Sequence, residues 1–429
     1  MNRKILALAI PSIISNISNP LVSSVDTALM GHLNSTNLAA LGAMGMVFMF
    51  IYGTFNFLRS GTTGISAQAL GAKNSELISN TMYRAMFVAF ALGLILILFK
   101  NYIFQASIYL MNVEDSYLQQ SKIYFDIRIY TAPALFMGYV LMGWFFGVQN
   151  ALYPLIITIV LNLLNIALSY YLVYIQHMGI EGAALGTLIA QYVSLVLGLL
   201  MLLKYRGYFK TFNLQKVLTK SQILHLFRVN SDIFIRTLAL TFAFAFLYSQ
   251  AAKAGEDKLA IMVLLLQFII WFAYSLDGFA NAAESLVGNY YGAKNWNKFN
   301  LAVKYSLIWS FGLSIVYTIF YYLLGESILK LFTNQKELIE LTISFMPYIV
   351  AVPIVSFLAF IWDGVYIGMT ATKAMRNTVL VSLLLYIIGF YLTKGYNFIY
   401  ALWINFILFL LYRGVVQSLL FYKYGKDLK

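Results

Sequence analysis

The sequence contains no cysteine. Disulfide staples, thiolate metal sites and thiol chemistry are therefore excluded. Histidine is nearly as scarce, and His32, His177 and His225 are too scattered to argue for a metal site. Charge is also in short supply. Only 10% of the residues are charged, where a soluble domain carries about 25%. The chain shows no His–acid cluster, nucleophile motif or metal-ligand spacing, so an enzyme is not expected and no cofactor is called for.

Acids are scarcer than bases, 16 against 29, for a net charge of +13. Such an excess can mark a nucleic-acid partner. Here the bases are spread over short loops, with no basic domain interleaved with aromatics, so none is expected. The positive-inside rule and anionic headgroups explain the excess. The chain is otherwise apolar: 61% hydrophobic, with a mean hydropathy of +0.78. A helix of about 20 apolar residues crosses a bilayer, and runs of that length recur throughout.

The fold class is an all-α polytopic membrane protein. Hydropathy predicts about twelve spans, near 6–30, 38–70, 82–99, 124–148, 154–174, 182–203, 233–252, 259–287, 301–324, 343–369, 378–393 and 398–422. The start, MNRKILALAI, is basic but lacks a small-residue cleavage site, so it reads as an uncleaved first helix. Residues 100–122 read as a partly polar connection. An even span count puts both termini on one side. That side would hold Arg3, Lys4, Lys73, Arg84, Lys204, Arg206, Lys210, Lys216, Lys220, Arg228, Lys294, Lys298, Lys304, Lys373, Arg376, Lys423, Lys426 and Lys429. The other side has Lys100, Lys122, Lys253, Lys258, Lys330, Lys336 and Lys394. The bias predicts that both termini of the multi-pass chain are cytoplasmic.

Gly-Ala-Lys-Asn occurs at 71–74 and again at 292–295, an offset of 221. The same offset pairs Gly143 with Gly364 and Gly147 with Gly368, and nearly pairs Pro133 with Pro353. Three anchors on one offset indicate an internal repeat. With six spans in each half, the repeat is parallel. The expected domains are an N-terminal six-helix lobe over 1–203, a cytoplasmic basic linker over 204–228 and a C-terminal six-helix lobe over 229–429.

Within the first span, Ser12, Ser15, Asn16, Asn19, Ser23 and Asp26 step by threes and fours onto one stripe. Pro20 interrupts the hydrogen-bond ladder and frees the Asn16 carbonyl. A charge at mid-membrane costs on the order of 3 kcal/mol, so Asp26 is a functional candidate; the competing reading is an Asp tied structurally to a neighbouring helix. Thr158, Asn162, Asn165 and Ser169 share a face of the fifth span, and Thr187, Gln191 and Ser194 share one of the sixth. A carboxylate among amide and hydroxyl oxygens suits a proton or a hard cation such as Na⁺, and ordinary interhelical hydrogen bonding is the alternative. In the second half, Asp277, Asn281 and Glu284 lie on one face of the eighth span, with Asp363 on the tenth, Arg236 on the seventh and Arg413 on the twelfth. Two readings stay open there: a structural ion-pair network, or substrate and cation binding with Asp363 and Glu284 favoured. Aromatic and Met residues on the fourth span, Tyr139, Trp144 and Met142 among them, suit apolar cations or simple lipid-facing packing.

These residues carry a resemblance. PSIISNISNPLVSSVDTALMGHL, SAQALGAKN, LNLLNIALSYYLVYIQHMGIEGAALGT, LDGFANAAESLVGNYYGAKN and WDGVYIGMTATKAMRN resemble, in family order over nearly the whole chain, the multidrug and toxic compound extrusion (MATE) transporters, most closely their DinF-like branch. The resemblance implies two six-helix lobes around a central cavity and export of a substrate against H⁺ or Na⁺. It implies that Asp26 matches the coupling Asp of the N-terminal lobe. The family's fifth-span Asn–Asp pattern falls on Asn165 and Ser169, so the Asp is absent here, and the following Thr matches Thr187. Asp363 matches the tenth-span Asp used for cation binding in other branches, and Glu284 the acid of the DinF-like eighth-span motif. The missing Asp favours H⁺ over a Na⁺ bound at Asp26. The expected substrate is a small cationic or amphiphilic molecule, handled by a monomer in the lipid bilayer. A lipid-linked oligosaccharide flippase is the alternative; it would need a strongly basic cavity, whereas the deep charges here are mostly acidic.

Overall fold

The computed structural model describes residues 1–209, 214–217 and 219–427, without the side chains of 19, 21–23, 214, 216 and 424–427. Lys210 and Lys429 of the basic set lie outside the described residues, as do the side chains of Asn19, Ser23, Lys216 and Lys426. No strand occurs among the described residues.

The helices gather into two compact units, one of residues 14–230 and one of residues 1–13 with 231–429. The first holds most of α1 (Asn2–Gly31), then α2 (Ser35–Thr54), α3 (Phe57–Gly71), α4 (Ser75–Leu98), α5 (Lys100–Met111), α6 (Asp115–Arg128), α7 (Ala132–Gly147), α8 (Leu152–Tyr170), α9 (Gly179–Leu202), α10 (Leu214–Val217) and the start of α11 (Lys220–Lys253). The second holds the rest of α11, α12 (Glu256–Gly292), α13 (Trp296–Phe332), α14 (Lys336–Ile343), α15 (Met346–Gly368), α16 (Thr372–Thr393) and α17 (Phe398–Asp427). Among the described residues eleven helical stretches are long and apolar enough to cross a membrane, and α1, 30 residues long, is the remaining expected span.

Three elements differ from the expectation. The second predicted span is two helices, parted at Phe55 and Asn56. The predicted connection over 100–122 is helical on either side of Asn112, whose left-handed φ of 47° ends α5. The predicted linker 204–228 is helical again from Lys220, because Leu226, Val229 and Ile233 give α11 a buried face well before its most apolar stretch.

The first thirteen residues pack within the second unit. Lys4 Nζ donates to Tyr290 OH at 3.2 Å, and Trp309 Nε1 donates to Asn2 Oδ1 at 3.2 Å. Gly278 of α12 lies so close to the Ala9 carbonyl and Ile13 that a side chain would collide.

The 221-residue repeat is visible in the packing. A side chain on Gly143 would strike the Arg59 carbonyl, and one on Gly364 the Ala280 carbonyl. Gly147 meets the Thr63 carbonyl, and Gly368 the Glu284 carbonyl. Glycines and partners are all one offset apart, so α7 approaches α3 as α15 approaches α12. Small residues permit such backbone contact between membrane helices. The Gly-Ala-Lys-Asn motif has a shared geometry too. Lys73 and Lys294 both take φ 54°, ending a helix, and the next residue caps its successor. Asn74 Oδ1 accepts from Leu77 N at 2.8 Å, and Asn295 Oδ1 from Lys298 N at 3.1 Å.

Candidate functional site

In the first unit Ser15 and Ser18 of α1 meet α8. Ser15 Oγ donates to Thr158 Oγ1 at 2.9 Å, and Asn162 Nδ2 donates to Ser18 Oγ at 3.0 Å. Further along, Asn165 Nδ2 donates to Thr187 Oγ1 at 2.8 Å, and that hydroxyl donates to the Ala183 carbonyl at 3.0 Å. Gly186 lets α9 close on α8 here, since a Cβ on it would stand 2.8 Å from Ser169 N. Asn165, Ser169 and Thr187 therefore share one buried site, as α8 passes into a π-helical turn over Tyr171–Ile175. Such turns are frequent at functional sites.

Asp26, 9% exposed, joins this site through Ser169, which is near enough to interact with its carboxylate. Neither side chain reaches full hydrogen-bond geometry. Asp26 Oδ1, Ser169 Oγ and Asn165 Oδ1 are all buried without a hydrogen-bond partner. A carboxylate and an amide oxygen only accept, while a hydroxyl can do either. Of the three, Asp26 Oδ1 and Asn165 Oδ1 are thus acceptors without a donor, and the Ser169 hydroxyl can serve either way. Among the described residues no group of three His, Cys, Asp or Glu is placed to hold a metal ion.

Arg128 was not anticipated as part of this site. It ends α6 and interacts electrostatically with Asp26. Its guanidinium lies 5.8 Å from the ring centres of both Phe48 and Tyr52. Tyr52 OH donates to its carbonyl at 2.8 Å, and Nη1 donates to Thr131 Oγ1 at 3.3 Å. The available signal was a base four residues into the predicted fourth span, at 124–148. Asp126 pairs with Lys100 at 3.2 Å and Lys122 at 3.0 Å.

In the second unit Asp363, 4% exposed, is fully engaged. Arg236 Nη2 and Arg413 Nη2 both donate to Oδ2, the latter at 2.8 Å, while Gln417 Nε2 donates to Oδ1 at 3.0 Å. Asp277, half-buried on α12, interacts electrostatically with Arg413. Asn281 and Glu284 are buried further along the same helix, at 6% and 2% exposure. A second carboxylate, Asp232, was missed in the sequence. Arg376 Nη1 donates to it at 2.6 Å and Thr372 Oγ1 at 2.9 Å. It stands just before the predicted seventh span and is 5% exposed.

Comparison with known proteins places the whole arrangement. The MatE family model matches residues 11–171 and 233–392. DNA damage-inducible protein F of Escherichia coli is 33% identical over 98% of this chain and 92% of its own length. A probable multidrug resistance protein NorM of Thermotoga maritima is 24% identical over 80% of this chain and 74% of its own. Among solved structures, a MOP superfamily transporter from Pyrococcus furiosus superposes with a TM-score of 0.88 at 20% identity, covering 99% of this chain and 96% of that one. A MATE structure in the bent conformation reaches 0.91 at 20% identity, covering 100% and 96%. Two family matches, one in each half, and near full-length similarity to a curated relative leave one conclusion: the chain belongs to the MatE family, as a multi-pass efflux transporter of multidrug and toxic-compound type and not an enzyme.

Proposed function

We propose that this transporter exports small cationic or amphiphilic molecules in exchange for H⁺, with Asp26 as the coupling group and Asn165, Ser169 and Thr187 as its setting. The reading places it as a monomer in the bacterial inner membrane with cytoplasmic termini, its six-helix lobes over 1–203 and 229–429 alternating in access. The observation that carries it is the cluster of three partnerless buried oxygens around Asp26. Protonation turns the carboxylate from a pure acceptor into a donor. A protonated Asp26 could then donate to an amide oxygen such as Asn165 Oδ1, which its carboxylate cannot do, while the Ser169 hydroxyl can bond either form, so one proton changes how α1 and α8 are bonded at this level. Leaving a buried polar group unsatisfied costs about 1–3 kcal/mol, enough to bias a two-state element.

The same oxygens could ligate Na⁺, but Arg128 brings a fixed positive charge to the site. That charge opposes uptake of either ion, since H⁺ and Na⁺ each add one positive charge to Asp26; the preference for H⁺ rests on Ser169, a neutral hydroxyl where the family pattern has a second carboxylate. The flippase reading needs uncommitted guanidinium groups for a pyrophosphate, and Arg236 and Arg413 both donate to Asp363. In the second lobe Asp363 serves as a structural anchor in this reading. Glu284, Asn281 and Asp277 are its candidates for meeting a cationic substrate.

Asp26→Asn tests the proposal. The amide keeps the size and supplies a permanent donor, so the protein should insert and melt at or above the temperature of the parent. Proteoliposomes carrying it should show no substrate movement under an imposed pH gradient in Na⁺-free buffer. Parent-like, gradient-driven export by this variant would move coupling away from Asp26.

A further inference from the structure

The first unit carries a cavity of about 280 Å³ between α4 and α9, remote in sequence from Asp26 and unused by the coupling site. Met82 and Met86 of α4 wall one side, and Leu199 and Leu202 of α9 the other. Tyr83 and Phe209 close it as an edge-to-face pair, with ring centres 5.6 Å apart. The lining runs from Met82, 2% exposed, to the exposed Arg206, its one charged member. Among the described residues no carboxylate forms an ion pair with Arg206.

The surroundings say what medium this cavity meets. Phe87 and Phe90 on α4, and Leu200 and Leu203 at the end of α9, are 62%, 45%, 57% and 66% exposed. In a membrane protein such a face is covered by acyl chains. The walls are apolar and two are methionines, which adapt to flexible chains. A base at the end of an apolar slot selects against a cationic occupant and for an anionic head. We propose that this cavity binds one anionic phospholipid, its acyl chain between α4 and α9 and its phosphate on Arg206. The inference rests on the membrane placement of the chain and is independent of which ion drives export.

The full-length protein, purified in mild detergent, is examined by native mass spectrometry with phosphatidylglycerol and with phosphatidylcholine of the same acyl chains. The parent should retain phosphatidylglycerol about fivefold more than phosphatidylcholine, the factor one basic residue contributes at an anionic surface. Arg206→Gln should abolish that preference while leaving residual binding of both lipids. Met86→Trp should fill the slot and lower retention of both. Leu199→Trp blocks it from a wall that is 38% exposed, and decides the matter if Met86→Trp does not fold. Equal retention of the two lipids by the parent overturns the proposal. So does an unchanged preference in Arg206→Gln, or displacement of the lipid by tetraphenylphosphonium, which would identify the slot as a site for the transported cation.

Discussion

The two units share a scaffold and differ in where they place charge. Ile5, Leu8, Ala9 and Ser12 of α1 are buried in the same order as Leu226, Val229, Asn230 and Ile233 of α11. Asp26, Leu29 and Met30 match Leu247, Gln250 and Ala251 in the same way. Leu247 therefore occupies the position of Asp26 and is 0% exposed. Conversely, Asp363 falls on Met142, and Arg236 on Ser15. Glycine contacts and helix caps repeat because backbone packing tolerates little change. These buried ionisable groups do not repeat, since each needs its own set of partners. The two acids also have opposite surroundings. Asp363 receives two guanidinium groups and an amide. Asp26 Oδ1 receives no donor, and Arg128 acts on it only electrostatically. A saturated carboxylate holds one arrangement, whereas an undersupplied one has reason to exchange a proton.

The contrast breaks most visibly at Arg413, 3% exposed. Arg413→Ala leaves Asp363 with one guanidinium and a void, and breaking a buried pair costs about 3–5 kcal/mol. Folded yield in detergent should collapse, and a melting measurement on what remains should show the loss. Asp363→Asn with Arg413→Gln should recover part of it, since no charge is then stranded. A parent-like melting temperature for Arg413→Ala would remove the structural role and return Asp363 to the list of transport groups.

Leu247→Asp tests whether the scaffold alone makes an acid tolerable. It puts a carboxylate where the first lobe has Asp26, but without the Asn165–Ser169–Thr187 setting. Insertion and stability should fall by about 3 kcal/mol, the cost of an unsupported charge at mid-helix. Unchanged expression and melting would mean that the repeated frame, rather than the local oxygens, accommodates Asp26.

How far the sequence could foresee this contrast depends on the signal each residue leaves. Asp26 stood out because an isolated charge in a long apolar run has few explanations. Asn165, Ser169 and Thr187 were legible as helical faces, and they do meet. The glycine anchors and the Gly-Ala-Lys-Asn motif marked the repeat by spacing alone, although their backbone partners at Arg59, Ala280, Thr63 and Glu284 need coordinates. Arg128 and Asp232 were missed for one reason. Hydropathy treats polar residues near a span boundary as wet, yet both side chains are held by contacts that a one-dimensional window does not contain. Nothing in the chain order signals that residues 1–13 pack with the second unit, since that contact joins segments nearly three hundred residues apart.

Arg128 sharpens the comparison within the first lobe. If its charge keeps a second cation from the three oxygens, Arg128→Gln should give export that Na⁺ stimulates, while the parent is indifferent to Na⁺ at constant pH. Proteoliposome uptake with Na⁺ replaced by choline measures this. Ser169→Asp, which restores the acid of the family pattern, should act in the same direction. Na⁺-independent export by Arg128→Gln would mean that the cluster does not take a cation even when the competing charge is gone.

The smallest effect probes the shared scaffold. Asn74 and Asn295 cap α4 and α13 through equivalent hydrogen bonds, at 2.8 and 3.1 Å. Each follows a lysine held at φ 54°. Removing an Asn cap costs about 1 kcal/mol, whatever the charges elsewhere in the lobe. Asn74→Ala and Asn295→Ala should therefore lower the melting temperature by similar small amounts, and the double variant should lower it by their sum, since the caps belong to separate units. Lys73→Gly and Lys294→Gly should act oppositely, because a left-handed backbone penalises a Cβ that glycine lacks. Export should be unchanged in all of them. Unequal effects from the two Asn substitutions would show that the repeat is geometric only, and that one lobe depends on this turn more than the other.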